Sequence, residues 1–106
     1  MGLTPLEGLM MGTRSGTIDA GIIFHLARTQ KLSIEEIEKA LLKDSGLLGV
    51  SGKSADMREV ITLAQAGDER ANLAIEIYCL RVQQAIGALS TTMGGVDAVI
   101  FTAGVG

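Results

Sequence analysis

The chain has 106 residues, 47% of them apolar but only 3% aromatic, with a formal charge of -3. That length holds one domain or a piece of one, built on an aliphatic core. The acidic balance, with no cluster of Lys or Arg, excludes nucleic acid or an anionic membrane as the main partner, and one cysteine (Cys79) with one histidine (His25) excludes an internal disulfide and a protein-only zinc site.

Cysteine usage of this kind places the chain in the cytoplasm. No apolar run approaches the roughly 20 residues that span a bilayer. The N-terminus lacks the basic-then-apolar order of a signal peptide, and Leu6 stands where a myristoylation signal needs Ser or Thr.

Residues 1–17 are rich in Gly, Thr and Met without a sustained period, and read as loop or short extended structure. Asp19 suits a helix N-cap before Ile22, Ile23 and Leu26, which predicts a helix over 20–29. His25, beside Phe24 and Leu26 in that helix, reads as a packed or partly exposed histidine and not as a catalytic base. Ser33-Ile-Glu-Glu36 is a capping box opening a helix with Ile34, Ile37 and Leu41 on one face, and Gly46 is expected to end it. "LLGVSGKS" then reads as a connecting loop. It is not a P-loop, because Leu47 occupies the position of the first glycine and no suitable strand precedes it.

Asp56 and Glu59 form an acidic capping pair ahead of Val60, Ile61 and Leu63, Gly67 closes that helix, and Asp68 caps the next. The last helix is predicted over 69–93. Ile75, Cys79, Val82, Ile86, Leu89 and Met93 alternate steps of four and three, a pattern expected of a buried stripe with Cys79 as a small buried hydrophobe. Leu73, Ile77 and Leu80 widen it, so the helix should meet two neighbours. After Gly94-Gly95, the apolar run Val96 to Thr102 predicts a fully buried strand, and Gly104-Val105-Gly106 resembles a strand-to-helix loop of the kind that cradles phosphates. One buried strand cannot satisfy its own backbone groups, so its partners are expected outside these residues, in a larger α/β enzyme of which this chain is a segment; the alternative reading is a helical domain whose last residues form a disordered tail.

Three ordered stretches, "MGLTPLEGLMMGTRSG", "SGLLGVSGKSADMR" and "GGVDAVIFTAGVG", resemble the middle-to-late part of the acetate and propionate kinase family, across essentially the whole chain. The resemblance implies an α/β actin-like ATPase fold shared with sugar kinases, of which this mainly helical chain, residues 1–106, is part of the C-terminal nucleotide-binding domain. It implies Mg-dependent phosphoryl transfer between ATP and acetate or another short carboxylate, giving an acyl phosphate and ADP, in a homodimer.

By the same resemblance Arg14, the arginine of GTRSG, is the catalytic residue that stabilises the transition state. The chemistry suits it, since a transferring phosphoryl group spreads charge over equatorial oxygens that a guanidinium can bind two at a time. Gly12 and Gly16 would let the backbone set that side chain beside the phosphate. On spacing alone, Arg14 would pair with Asp19 or Glu7. Asp56, Met57 and Arg58 match the family's nucleotide-contacting element, and Gly104, Val105 and Gly106 match the opening of its glycine-rich nucleotide loop, without the Glu and Asn that follow there. Thr17 and Ala20 depart from the family's TRSGDIDPG. No metal ligand is assigned to this chain, and the isolated segment is expected to be inactive. The alternatives are propionate or butyrate as the substrate and, in a different class, a non-catalytic helical module that self-associates through residues 69–93.

Overall fold

The computed structural model describes residues 2–102, which form five helices: α1 (Gly21–Thr29), α2 (Ile34–Lys43), α3 (Gly46–Ser51), α4 (Met57–Gln65) and α5 (Glu69–Thr92). Residues before α1 run as turns and loop.

Local capping chemistry explains most of the boundaries. The Ser33 hydroxyl accepts from the Glu36 N–H at 3.2 Å and the Glu36 carboxylate accepts from the Ser33 N–H at 2.7 Å, so the box closes as its spelling requires. Asp56 and Asp68 cap α4 and α5 through their carboxylates, accepting from the Arg58 and Ala71 N–H groups, each at 2.8 Å. The N-cap of α1 is Ala20, without a side-chain capping bond, and not Asp19 as expected; the Asp19 carboxylate accepts from the Gly21 N–H at 2.8 Å from one position further out, and the helix starts one residue later than expected. Gly67, at φ +94°, turns the chain out of α4.

The core lies between α3, α4 and the first turns of α5. Leu47, Val60, Ala71 and Ala74 have no exposed surface, Met10 reaches in from the N-terminal loop, and Val50, Met57, Leu63 and Tyr78 close the edges. Ala71 and Ala74 are the close-approach positions of α5, small enough for α3 and α4 to pack directly on its backbone. Burying Leu47 and Val60 contributes about 1.5–3 kcal/mol each. α2 pairs with α1 and buries Ile37 and Leu41, whereas Ile34 is exposed.

Four further expectations are corrected. Residues 46–51 are a helix, not a loop, and Gly46 opens that helix instead of ending α2, which stops at the Asp44 cap. Ser45 stands at the N-cap, but its hydroxyl donates to the Ala40 carbonyl, and the first amides of the helix are met from a distance by the backbone of the N-terminal loop. The stripe on α5 is not buried: only Ala71 and Ala74 are, while Leu89 and Met93 are 63% and 72% exposed and Cys79 is exposed, since α3 and α4 cover only the beginning of α5. No strand forms among the described residues. Val96 to Thr102 is an exposed irregular segment, Ile100 at 84% and Phe101 at 80%, because no second strand is present to complete its backbone hydrogen bonds.

Candidate functional site

The loop carrying Arg14 is fixed by backbone groups. Met11 N–H donates to the Arg14 carbonyl at 3.1 Å, Ser15 N–H to Leu41, and Thr13 receives the N–H of Ser45, all at about the ordinary length. The Thr13 hydroxyl donates to the Leu42 carbonyl at 2.9 Å. The first amides of α3 point back at the same loop: Leu47 donates to Met11 and Leu48 to Gly12, each at 2.9 Å. Two of the orphan donors at the helix N-terminus are thereby satisfied by loop carbonyls, in place of a capping side chain.

Glycine is required where this packing is tightest. A Cβ on Gly46, at φ +65°, would lie 2.1 Å from the Met11 carbonyl oxygen, and one on Gly16, at φ +72°, would lie 2.7 Å from that of Gly8. Gly12 is needed for proximity alone, its Cβ position being 2.7 Å from the Ala55 carbonyl oxygen.

Arg14 is half-buried and makes no ion pair among the described residues, neither with Asp19 nor with Glu7. Its one side-chain hydrogen bond among the described residues runs from Nη1 to the Met11 sulfur at 3.5 Å, a weak acceptor. With Met11, Gly12, Thr13 and Ala55 it lines a pocket of about 290 Å³. An arginine held in a cleft without a carboxylate retains its charge for an anion from outside.

Beyond Ala55 the chain turns into the second group. The Asp56 carboxylate is gripped by Arg58, Nε–H to Oδ1 at 3.1 Å and Nη2–H to Oδ2 at 2.6 Å, and also accepts from the Arg58 amide. The side-chain hydrogen bonds from Arg58, followed by that amide, hold the Asp56 carboxyl down to about 2. Arg58, whose own ionisation is raised by the same pair, is still 90% exposed, so its planar face is oriented yet open. Lys53, Ser54, Glu59, Thr62 and Leu63 complete an open pocket of about 610 Å³ around these two residues.

Sequence reading gave Lys53 and Ser54 no role beyond a connecting loop and took Glu59 only as half of a capping pair, whereas all three line this pocket. The SGKS stretch follows a helix, not a strand: Ser51 ends α3, Gly52 takes its C-cap at φ +71°, Lys53 pairs with Asp68, and Ser54 turns inward. Glu59 does not reach the Asp56 amide as a second capping box would require; the Ser54 hydroxyl stands between them, accepting from Asp56 N–H at 3.0 Å and donating to Glu59. Ser54 stands two positions before Asp56 and five before Glu59, outside the three-residue spacing of a capping box, so no local pattern marks it.

The structure therefore sets Arg14 and the Asp56–Arg58 turn on either side of Ala55. Met57 faces the core edge instead of the pocket. Gly104, Val105 and Gly106 lie outside the described residues. His25 is exposed on α1, away from both pockets. Among the described residues, no three His, Cys, Asp or Glu side chains come together as a metal site, so these residues do not fit the Mg²⁺ that the resemblance implies. No helix among them is long and apolar enough to cross a membrane.

Comparison with known proteins bears on the same residues. The whole chain, 1–106, matches the acetate kinase family model, described as the Acetokinase family. It is 58% identical to an acetate kinase of Cyanothece sp. and 56% identical to one of Sulfurovum sp., in each case over all of this chain and 26% of the relative. Among solved structures it overlays on a propionate kinase from Francisella tularensis with a TM-score of 0.93 at 48% identity, covering 100% of this chain and 27% of that one. It overlays on Porphyromonas gingivalis acetate kinase with a TM-score of 0.89 at 46% identity, covering 92% and 24%. The chain thus spans about a quarter of the length of the relatives it matches.

Proposed function

The chain belongs to the acetokinase family, and from that premise we propose that it is part of the C-terminal nucleotide-binding domain of an acetate kinase with the actin-like ATPase fold. In that enzyme a carboxylate oxygen of acetate attacks the γ-phosphorus of ATP, the bond from that phosphorus to the β,γ-bridging oxygen breaks, and acetyl phosphate and ADP result, reversibly. The enzyme works as a homodimer in the cytoplasm. ATP comes with Mg²⁺, for which the residues described here offer no donor set, so none of their roles runs through the metal.

One observation carries the reading: a half-buried arginine, Arg14, without a carboxylate partner among the described residues stands next to a turn whose own arginine, Arg58, is locked flat and left exposed. Arg14 stabilises the charge that develops on the equatorial oxygens during transfer. Asp56 and Arg58 hold the nucleoside end, where an oriented guanidinium plane stacks on a flat base. Propionate is the nearest alternative acceptor, since a propionate kinase is among the structures that overlay closely.

The test traps acyl phosphate with hydroxylamine, using the chain alone and a hybrid in which residues 1–106 replace the matching stretch of the Cyanothece acetate kinase. The chain alone should be inactive and the hybrid active. Arg14→Ala in the hybrid should lower kcat by roughly 10²- to 10³-fold, and Arg14→Lys should recover little of it. A hybrid that folds and turns over at full rate with Ala at position 14 would remove Arg14 from the chemistry.

The self-association reading keeps a separate footing. Leu80, Leu89, Met93, Ile100 and Phe101 are all at least half exposed along one end of the chain, apolar side chains that association of two copies would cover.

A further inference from the structure

We propose that Ser54 is a positioning residue for the nucleotide, acting through the Asp56–Arg58 turn and not by touching the reacting atoms. The proposal rests on the reading of that turn as a nucleotide contact and adds a residue to it.

Ser54 is only 8% exposed, although it borders the open pocket beside Asp56. Its hydroxyl serves two neighbours at once, accepting from the Asp56 N–H at 3.0 Å and donating to the carboxylate of Glu59 in the first turn of α4. Its own backbone is fixed in turn by Ser51, 2% exposed at the end of α3, whose hydroxyl accepts from the N–H groups of Lys53 (3.2 Å) and Ser54 (3.3 Å) and donates to the Ser54 carbonyl at 3.2 Å. No buried side-chain polar atom is left without a partner among the described residues, so this small network is complete.

The direction of the effect follows from the connectivity. Arg58 is oriented by the Asp56 carboxylate, and the amide of Asp56 is oriented by Ser54. A hydroxyl at position 54 therefore sets the angle at which the Arg58 plane faces the pocket. The Arg14 loop is held by the opposite end of α3, through the amides of Ser45, Leu47 and Leu48, and by the Leu41 carbonyl, so loosening the Ser54 end frees the nucleotide contact while those anchors of the arginine loop stay in place.

The experiment measures steady-state kinetics and melting temperature of the hybrid enzyme carrying Ser54→Ala, with Ser54→Cys as a second variant that fills the same space with a weaker hydrogen-bonding group. Ser54→Ala should raise the KM for ATP roughly three- to ten-fold, the factor corresponding to one lost hydrogen bond, with kcat changed less than twofold and the KM for acetate unmoved. Ser54→Cys should fold and fall between the two. An unchanged KM for ATP in the folded Cys variant, or equal rises in both KM values, would overturn the role of Ser54 while leaving the nucleotide site standing. If Arg58→Ala in the same hybrid also leaves the KM for ATP unchanged, the reading of the turn itself fails, and the proposal with it.

Discussion

Arg58 closes a two-pronged grip on the Asp56 carboxylate, and both residues belong to one helix start, where the same carboxylate also caps the backbone. Cap, ion pair and pocket wall are thus a single group of atoms.

This arrangement gives a pH dependence with a definite sign. The Asp56 carboxyl is held down to about 2, below its ordinary value near 3.9. Its contribution to stability is complete above about pH 4 and is lost as the pH falls through that range toward 2. Asp68, lowered by Lys53 and by the Ala71 amide, acts in the same direction. Asp56→Asn, which keeps a capping oxygen, should flatten the fall in melting temperature between pH 5 and pH 2 without abolishing it. A slope identical to that of the unsubstituted chain would show that the ion pair contributes nothing.

Gly46 and Gly67 should respond differently to alanine although both have positive φ. A Cβ at Gly67 meets nothing within 4 Å, so Gly67→Ala should cost about 1 kcal/mol, the conformational penalty alone. At Gly46 the same atom lies 2.1 Å from the Met11 carbonyl oxygen, and the loss should be about 3 kcal/mol or more. Urea unfolding of the two variants gives the comparison, and equal losses would contradict the close approach of α3 to the Arg14 loop.

Ser33→Ala removes one half of the capping box on α2 and should destabilise the chain by about 1 kcal/mol. Glu36→Ala removes the other half. Because the two hydrogen bonds join the same pair of residues, the double variant should lose less than the sum, a difference that thermal unfolding can resolve.

Exposed apolar surface on the second half of α5 and beyond should make the isolated chain associate. Sedimentation velocity should show mass rising with concentration, and Leu89→Gln with Met93→Gln should reduce it, since both side chains are largely exposed and fill no core. Monomeric behaviour at all concentrations would remove the self-association reading.

The legible parts of this fold were those specified locally. Ser33 with Glu36, Asp56, Asp68 and Gly67 each announce a helix boundary within four residues, and each boundary is where those residues put it. What escaped depends on distant groups. α3 is capped by carbonyls of residues 11 and 12, and nothing near Gly46 encodes them. The periodicity of α5 shows which side is apolar but not what covers it, and here α3 and α4 reach only its first turns. In the candidate site, the family spelling marks Arg14, Asp56 and Arg58, whereas no local pattern marks Ser54, whose hydroxyl bridges Asp56 and Glu59 only in the folded turn.

The capping of α3 by the Arg14 loop also constrains the order of folding. A helix of six residues is too short to persist by itself, and its first amides find acceptors only after residues 11 and 12 have been brought from far earlier in the chain. Loop and helix must then gain and lose structure together, as one cooperative unit. The amides of Leu47 and Leu48 are built-in reporters of the arginine loop: their hydrogen exchange registers each opening of a segment whose own side chain is otherwise spectroscopically silent.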